Sequence, residues 1–441
     1  MAESARGRLA AEVLDLTRDL IRIDTTNGNE TEAAAHLAAY LRTAGVETEL
    51  VAKDPARANL VARIPSTGGG GSLAYVGHTD VVPADPRDWT HPPFAAVVDD
   101  AGYLYGRGAV DMKNEVAARA VAVAELARSG FRPRGDLWLL MVADEEDGAA
   151  DVGMRWLLEA RPDIRPDLAV NEGGGQRLPL TDGRVVLTLS VGEKGTQPVR
   201  VTALGEAGHA SMPGLGANAV PRLGDLLRRI GRGDADLAGS PLLDATLTAL
   251  GVTGDSLEER LAAARPLHPT FGHSLPPLAG ITMAPTLLAG STARNVMPAR
   301  ASATLDCRTL PDHGPGDVLA AVRSRLGEDL VEGVDYELEL PEAMVPGSAS
   351  PPDGELPAAV AEWLAEEEPG VGMLPVLCTG YTDSSFLRLA GGTAAYGFSP
   401  FRSTPTEVLD AGYHNADERV HIDDLTVSVE FHLALARRLL G

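Results

Sequence analysis

Apolar residues recur at near-helical spacing at Leu9, Val13, Leu16, Leu20 and Ile21, predicting a helix over residues 9–21. A Thr-, Asn- and Gly-rich turn (25–29) leads to a second helix over about 30–43, then strands at 47–52 and 59–64. The four glycines at 68–71 lack the Lys-Ser/Thr of a phosphate loop and read as a hairpin tip. The apolar run from Leu73 to Gly77 reads as a buried strand. It ends in His78, with Asp80 two residues on, facing the same side of an extended chain. Tyr103-Leu104-Tyr105 is a further strand, turning at Gly106-Arg107-Gly108 into a helix over 114–129. Strands at 137–142 and 168–170 stop at Asp144-Glu145-Glu146-Asp147 and Asn171-Glu172. Strands alternating with helices predict an α/β sheet, whose working residues gather just beyond strand ends.

The pattern changes near residue 190. A strand at 196–204, a loop at 208–213, a helix at 219–230, strands at 280–288 and 300–308, a helix at 315–326 and a strand at 336–340 follow. The order β-α-β-β-α-β predicts a ferredoxin-like sandwich. Within it, 231–277 reads as a less regular elaboration. A Pro/Gly-rich linker at 341–354 returns to the α/β pattern, with a helix at 356–366, a strand at 393–398 and a final helix at 423–440. The expected organisation is a first domain over 1–190, an inserted domain over 191–345, and the remainder of the first over 346–441. There is no internal repeat.

Composition narrows the partners more than the fold. A chain of 441 residues, 44% apolar, suits two cores. A net charge of −24 and a pI near 4.8 argue against nucleic acid or an anionic membrane. Cys307 and Cys378 lie far apart, which suits a reducing cytoplasm and no disulfide framework. The N-terminal residues lack the apolar core of a signal peptide, and no stretch is long enough to span a bilayer. A soluble cytoplasmic protein is expected.

The strand ends carry the candidate chemistry: His78, Asp111, Glu145-Glu146, Glu172 and, near the C-terminus, His414. Two imidazoles with several carboxylates suit Zn²⁺, which takes nitrogen and hard oxygen ligands. Asp111, Glu146, Glu172 and a hydroxide together carry about four negative charges, which two divalent cations balance. Asp111 is the candidate bridge between ions roughly 3.5–4 Å apart. Asp80 is placed to accept the second N–H of His78 and fix its tautomer. Of the adjacent pair Glu145-Glu146, one carboxylate can bind metal while its neighbour shuttles protons. Taken alone, 144–147 also reads as an acidic loop capping a helix, His209 as a surface residue, and Arg308 as a solvated charge.

Read together, the motifs resemble the zinc metallopeptidases of family M20, which includes aminoacylase, acetylornithine deacetylase, succinyl-diaminopimelate desuccinylase, glutamate carboxypeptidase and several dipeptidases. The resemblance is carried by Gly77-His78-Thr79-Asp80-Val81-Val82-Pro83, Gly106-Arg107-Gly108-Ala109-Val110-Asp111-Met112-Lys113, Asp144-Glu145-Glu146 and Asn171-Glu172-Gly173-Gly174. It continues in Gly208-His209-Ala210-Ser211-Met212-Pro213, Asn295-Val296-Met297-Pro298, Asp306-Cys307-Arg308, Gly380-Tyr381-Thr382-Asp383 and His414-Asn415-Ala416-Asp417-Glu418. It implies an α/β zinc-peptidase catalytic domain, with a mixed sheet flanked by helices and an inserted ferredoxin-like α+β lid. It implies that His78 and Glu172 bind one zinc, Glu146 and His414 the other, and Asp111 both, with cobalt or manganese as substitutes. Glu145 would be the general base and Asp80 the residue that orients His78. His209 would steady the oxyanion of the tetrahedral intermediate. Asn295, Arg308 and Gly380 would contact substrate, the guanidinium by paired hydrogen bonds to a terminal carboxylate. Lid closure would gate the reaction, and the lid would pair in a homodimer. The other seven histidines, among them His432, match no motif and read as structural.

Three departures stand out. Asn114-Glu115 replaces the Gly-Gly of many members, the 231–277 stretch exceeds a minimal lid, and 399–409 lies where it could reshape the specificity pocket. The expected activity is hydrolysis of a peptide or amide bond beside a free carboxylate, on a small peptide or an N-acyl amino acid. The glycines at 173–175 and the long lid lean toward a dipeptidase or carboxypeptidase. An N-acyl-amino-acid deacylase is the alternative, and a catalytically silent binding protein the reading from another class.

Overall fold

The computed structural model describes residues 3–231 and 239–441. It falls into two compact units, one of residues 1–191, 350–376 and 382–441, the other of residues 192–349 and 377–381. The chain opens with α1 (Glu3–Arg22) and α2 (Glu30–Thr43), followed by β1 (Glu47–Val51), β2 (Asn59–Ile64) and β3 (Leu73–His78). Next come α3 (Lys113–Arg128), β4 (Leu137–Val142), α4 (Met154–Ala160), β5 (Leu168–Asn171) and β6 (Val185–Glu193). Then follow β7 (Val199–Leu204), α5 (Ala219–Ile230), β8 (Thr282–Ala289), β9 (Arg300–Thr309), α6 (Pro315–Leu326) and β10 (Tyr336–Glu339). The chain ends with α7 (Glu355–Glu367), β11 (Val371–Cys378), β12 (Ala394–Gly397), α8 (Thr406–Gly412) and α9 (Ile422–Leu440).

The sheet of the first unit runs β1-β2-β4-β3-β5-β12-β6, with β11 also paired to β6. β4, β3, β5 and β12 are parallel, and β1, β2 and β6 are antiparallel to their neighbours. β3 and β4 are buried throughout, so they read as unbroken apolar runs without alternation. Because β4 lies between β2 and β3, the glycines at 68–71 form no hairpin tip. They begin a crossover, since β2 is antiparallel to β4 while β3 is parallel to it.

Ala74, Val76, Trp138, Leu140 and Val142 face one side and pack against Met154 and Leu157 of α4, each large apolar side chain contributing about 1.5–3 kcal/mol. Tyr75 points to the opposite side, where α1, α3 and α9 pack on one another. Its hydroxyl donates to the His432 carbonyl of α9 at 2.5 Å. α3 is buried along nearly its whole length, as a helix beneath a site must be if its own side chains are to fix that site.

In the second unit the sheet order is β8-β9-β7-β10, antiparallel throughout, with α5 and α6 supplying Leu223, Leu226, Ile230, Val318, Val322 and Leu326 to its core. β9 alternates buried and half-exposed residues, the pattern of a sheet covered on one face only. The elaboration after α5 is helical where it is described: helices Pro241–Ala249 and Leu257–Ala264 begin at Ser240 and Ser256, whose side chains accept from the N–H groups of Leu243 and Glu259. Its residues 232–238 lie outside the described residues. No helix among the described residues is long and apolar enough to cross a membrane.

Candidate metal centre

In the first unit, β3, β4 and β5 end side by side and deliver His78, the 143–146 loop and Glu172 to the carboxyl edge of the sheet. Asp111 arrives from the turn before α3, and His414 from the turn after α8. His78 Nε2 lies 3.1 Å from Asp111 Oδ1 and 3.6 Å from Glu172 Oε2. His414 Nε2 lies 3.3 Å from Asp111 Oδ2 and 3.1 Å from Glu146 Oε2. The two oxygens of Asp111 therefore face different imidazoles, each with its own glutamate. Glu145 stands close by, its Oε2 3.9 Å from His78 Nε2.

The surroundings hold the loops in shape. His78 Nδ1 donates to the main-chain carbonyl of Asp80 at 3.0 Å, whereas the Asp80 carboxylate is 3.6 Å away. The carboxylate instead accepts the Glu146 N–H at 3.0 Å, so one residue braces both a histidine and the loop opposite. Asp144 and His414 adopt left-handed backbone (φ 63° and 56°), a conformation that costs of order 1–3 kcal/mol outside glycine. Arg57, paired with the buried Glu30, holds the Asp144 carboxylate at 3.1 Å. Glu418 is wholly buried and accepts from the N–H groups of Gly108, Val110 and Asp111 and from Arg107 at 2.7–3.0 Å. It shapes the turn that carries Asp111, and Arg107 in turn sits over the Trp89 ring.

Electrostatically the site is short of positive charge. Burial pushes Glu146 up to about 7 and Glu145 well above the usual carboxylate range, with Glu172 adding to the latter. Burial likewise raises Glu172. Burial would depress His78, but Glu172, Asp111 and Asp80 outweigh it and hold the imidazole well above its ordinary value. Burial opposes the ionised Asp111 too, yet the hydrogen bonds from His414 and His78 prevail and lower it. Glu146 Oε1 and Asp80 Oδ1 are buried with no hydrogen-bond partner among the described residues, the condition that a cation or ordered water relieves. Two triads, His78–Asp111–Glu146 and His78–Glu145–Glu172, bring ligand atoms within 4.8 Å of one another. Nitrogen and carboxylate donors in this number could hold two divalent cations of the zinc, cobalt or manganese type.

His209, Asn295, Arg308 and Gly380 belong to the second unit. Residues 208–209 pair with 296–297, and the Ala210 N–H donates to the Asn295 carbonyl at 3.0 Å, so His209 and Asn295 share one local frame. The Ser211 N–H donates to His209 Nδ1 at 3.2 Å, which leaves Nε2 to carry the proton of the neutral ring. Arg308 donates to both oxygens of Asp306 at 2.8 and 3.2 Å. Gly380 lies in an exposed bend, and a Cβ there would make only an ordinary contact, 3.7 Å from Cys378 Sγ, so its own backbone does not demand glycine.

Reasoning from local pattern missed Glu418, Arg57 and Arg119. Most of their partners lie far off in sequence, and the signals at hand were Glu418's place in the 414–418 motif and the lone charge of Arg119 within the apolar stretch 116–124. Glu115, one of the two departures at the head of α3, is Arg119's ion-pair partner at 2.5 Å inside that helix.

The family model described as "Peptidase family M20/M25/M40" matches residues 74–438. Succinyl-diaminopimelate desuccinylase of Gluconacetobacter diazotrophicus is 32% identical, with 97% of each chain covered. The protein of the same name from Rhodospirillum centenum is 31% identical, with 95% of this chain and 94% of the relative covered. Among solved structures, an M20 family metallo-carboxypeptidase from Sulfolobus solfataricus superposes with a TM-score of 0.66 at 19% identity, covering 97% of this chain and 99% of that one. A dinuclear metal-binding peptidase from Bacillus subtilis gives 0.60 at 16%, with 98% of each chain covered.

Proposed function

The chain belongs to peptidase family M20/M25/M40 and is a metal-dependent hydrolase of amide bonds, and within that chemistry we propose that it deacylates an N-acyl amino acid, an N-succinyl one above all, at a pair of zinc ions. The observation that carries the two-cation reading is Asp111, whose oxygens lie 3.1 and 3.3 Å from His78 and His414. His78 and Glu172 would hold one cation, His414 and Glu146 the other, with Asp111 shared. Cations bound there supply Lewis-acid polarisation of the scissile carbonyl and a more acidic water. Glu145 takes the proton of the attacking water and returns it to the leaving amine nitrogen. Asp80 keeps His78 in the tautomer with Nε2 free to ligate, through its main-chain carbonyl. The Ser211 N–H leaves His209 an Nε2–H donor when neutral, as an oxyanion partner must be. Arg308, Asn295 and Gly380 are assigned to substrate by their motifs, with Arg308 exchanging Asp306 for a substrate carboxylate.

Two observations favour the deacylase over the peptidase. Relatives matched over nearly their whole length carry the name succinyl-diaminopimelate desuccinylase. The glycine run that leaned toward a peptidase also has a packing cause. A Cβ on Gly174 would lie 2.2 Å from the Gly397 carbonyl, and one on Gly175 (φ +87°) 1.7 Å from that of Ser399. Those glycines let the chain pass against β12 and say nothing of substrate. A screen of N-succinyl amino acids, N-acetyl amino acids and dipeptides is expected to show the highest kcat/KM on an N-succinyl substrate. A dipeptide turned over faster than every acyl amino acid would reverse the assignment.

The reading extends to a homodimer through the second unit and to a cytoplasmic setting. β8 pairs only with β9 among the described residues, and its Leu287 and Leu288 are 66% and 71% exposed. An apolar edge strand left open invites pairing with a second copy. Leu288→Lys is expected to shift the protein from dimer to monomer in sedimentation velocity, and an unchanged mass would remove this edge from the interface. Neither Cys307 nor Cys378 is in a disulfide, which suits a reducing compartment.

A further inference from the structure

β3 and β5 pair at Leu73–Leu168, Ala74–Ala169 and Tyr75–Val170, and their ladder stops there. His78 and Glu172 stand just beyond, on strands no longer hydrogen-bonded to each other. Arg119, reaching up from α3, is wholly buried. It donates through Nη1 to the Val76 carbonyl and through Nη2 to the Asn171 carbonyl at 3.0 Å. One guanidinium thus supplies the rung the ladder lacks, two residues before His78 on one strand and one before Glu172 on the other. Its planar fork allows little freedom in the distance between the two carbonyls it joins.

The fork is itself held. Nη2 also donates to Glu115 Oε2 at 2.5 Å, and Nε to His432 Nε2 at 3.2 Å. His432 Nδ1 gives its proton to the Ser428 carbonyl at 2.7 Å, so Nε2 is the acceptor and the ring is neutral. The His432 ring packs edge-on against Tyr75 of β3, with centroids 4.9 Å apart. All three guanidinium nitrogens and both ring nitrogens of His432 are thus engaged, and none of the three side chains hydrogen-bonds a ligand atom of the site.

We propose that Arg119 is a positioning residue that sets the spacing of His78 and Glu172, and hence the fit of the cation they share, with Glu115 and His432 fixing the guanidinium. The proposal rests on the two-cation reading above. Chelator-stripped full-length protein, titrated calorimetrically with Zn²⁺, tests it in the wild type, in Arg119→Lys and in the double variant Glu115→Gln/Arg119→Met. Lysine keeps the charge beside Glu115 but cannot hold both carbonyls in a plane. The double variant leaves no unpaired buried charge but deprives two carbonyls and His432 Nε2 of a donor, so the stripped protein is expected to fold with a lowered unfolding temperature.

The wild type is expected to bind two ions. In both variants one binding step weakens by about 10–100-fold, and the other is unchanged. Two unchanged steps would overturn the proposal. So would equal weakening of both steps, which would mark general loosening of the fold. Should the double variant fail to fold, Arg119→Lys decides by the same criterion. A wild type that binds fewer than two ions would instead overturn the two-cation reading, a separate result.

Discussion

Glu145→Gln is expected to lower kcat by about 10²–10⁴-fold while the protein keeps two bound ions per chain. Glutamine preserves the size of the side chain and removes its capacity to take up a proton. The competing fate for Glu145 is ligation, because it belongs to one of the two ligand triads and its Oε2 is 3.9 Å from His78 Nε2. Glu172 contends for the same corner from 3.6 Å. The two fates separate cleanly. Loss of a base lowers kcat at constant metal content and nearly constant KM, whereas loss of a ligand lowers metal content along with activity. Metal analysis after dialysis, beside steady-state kinetics on an N-succinyl amino acid, reads both quantities. A kcat near the wild-type value would take Glu145 out of the proton path.

Stability gives an independent check on the same variant. A carboxyl whose folded pKa is raised contributes stability at low pH that is lost as pH rises through that value. Glu145 is such a group in the metal-free protein, because burial and Glu172 both push it up. Replacing it by a neutral amide removes that cost, so the stripped variant is expected to melt no lower than the stripped wild type at neutral pH.

The parts of the chain legible in the sequence are those governed by local rules. The helices at 30–43, 219–230 and 315–326 and the strand at 137–142 match their expected bounds, because each carries an unbroken period or an unbroken apolar run. The family and the α/β class were legible too, since motifs in a fixed order are hard to meet by chance. β6 was not. It is a central strand with Thr188 and Ser190 buried inside it, and Thr188 meets its need by accepting the Gln176 N–H, a partner no periodicity reveals. The crossover at 68–71 was misread as a hairpin because strand order is a long-range property: β4, which separates β2 from β3, comes more than sixty residues later. At the site, the residue types that bind metals were visible, but the residues that place them were not. Arg119 joins carbonyls 43 and 52 positions away, and Glu418 reaches back 307 to 311 positions to the turn at Arg107–Asp111. Removing one partner from a buried ion pair such as Arg119–Glu115 costs about 3–5 kcal/mol. Such residues therefore shape the site at a scale comparable to whole-domain stability, with partners that no local pattern names.

Asp111→Ala is expected to have the largest effect on the centre itself, leaving at most one ion per chain after dialysis and reducing turnover below detection. Among the described residues no other carboxylate presents one oxygen to His78 and the other to His414. Glu146 and Glu172 each serve one imidazole, so substituting either leaves one cation its ligands, whereas losing Asp111 strips both. A pH series on chelated protein checks the same geometry without metal. His414 and His78 are both raised above the ordinary histidine value of 6.5, with Asp111 the first cause for His414 and among the carboxylates that hold up His78. A histidine raised in the fold contributes stability that is fully present below its ordinary pKa and lost as pH climbs through the raised value. Chelated wild type is therefore expected to lose unfolding temperature as pH rises above about 6.5, and Asp111→Ala to flatten that slope. Metal analysis decides first: an Asp111→Ala protein that still holds two ions would show that the shared carboxylate is not what joins the two halves of the site.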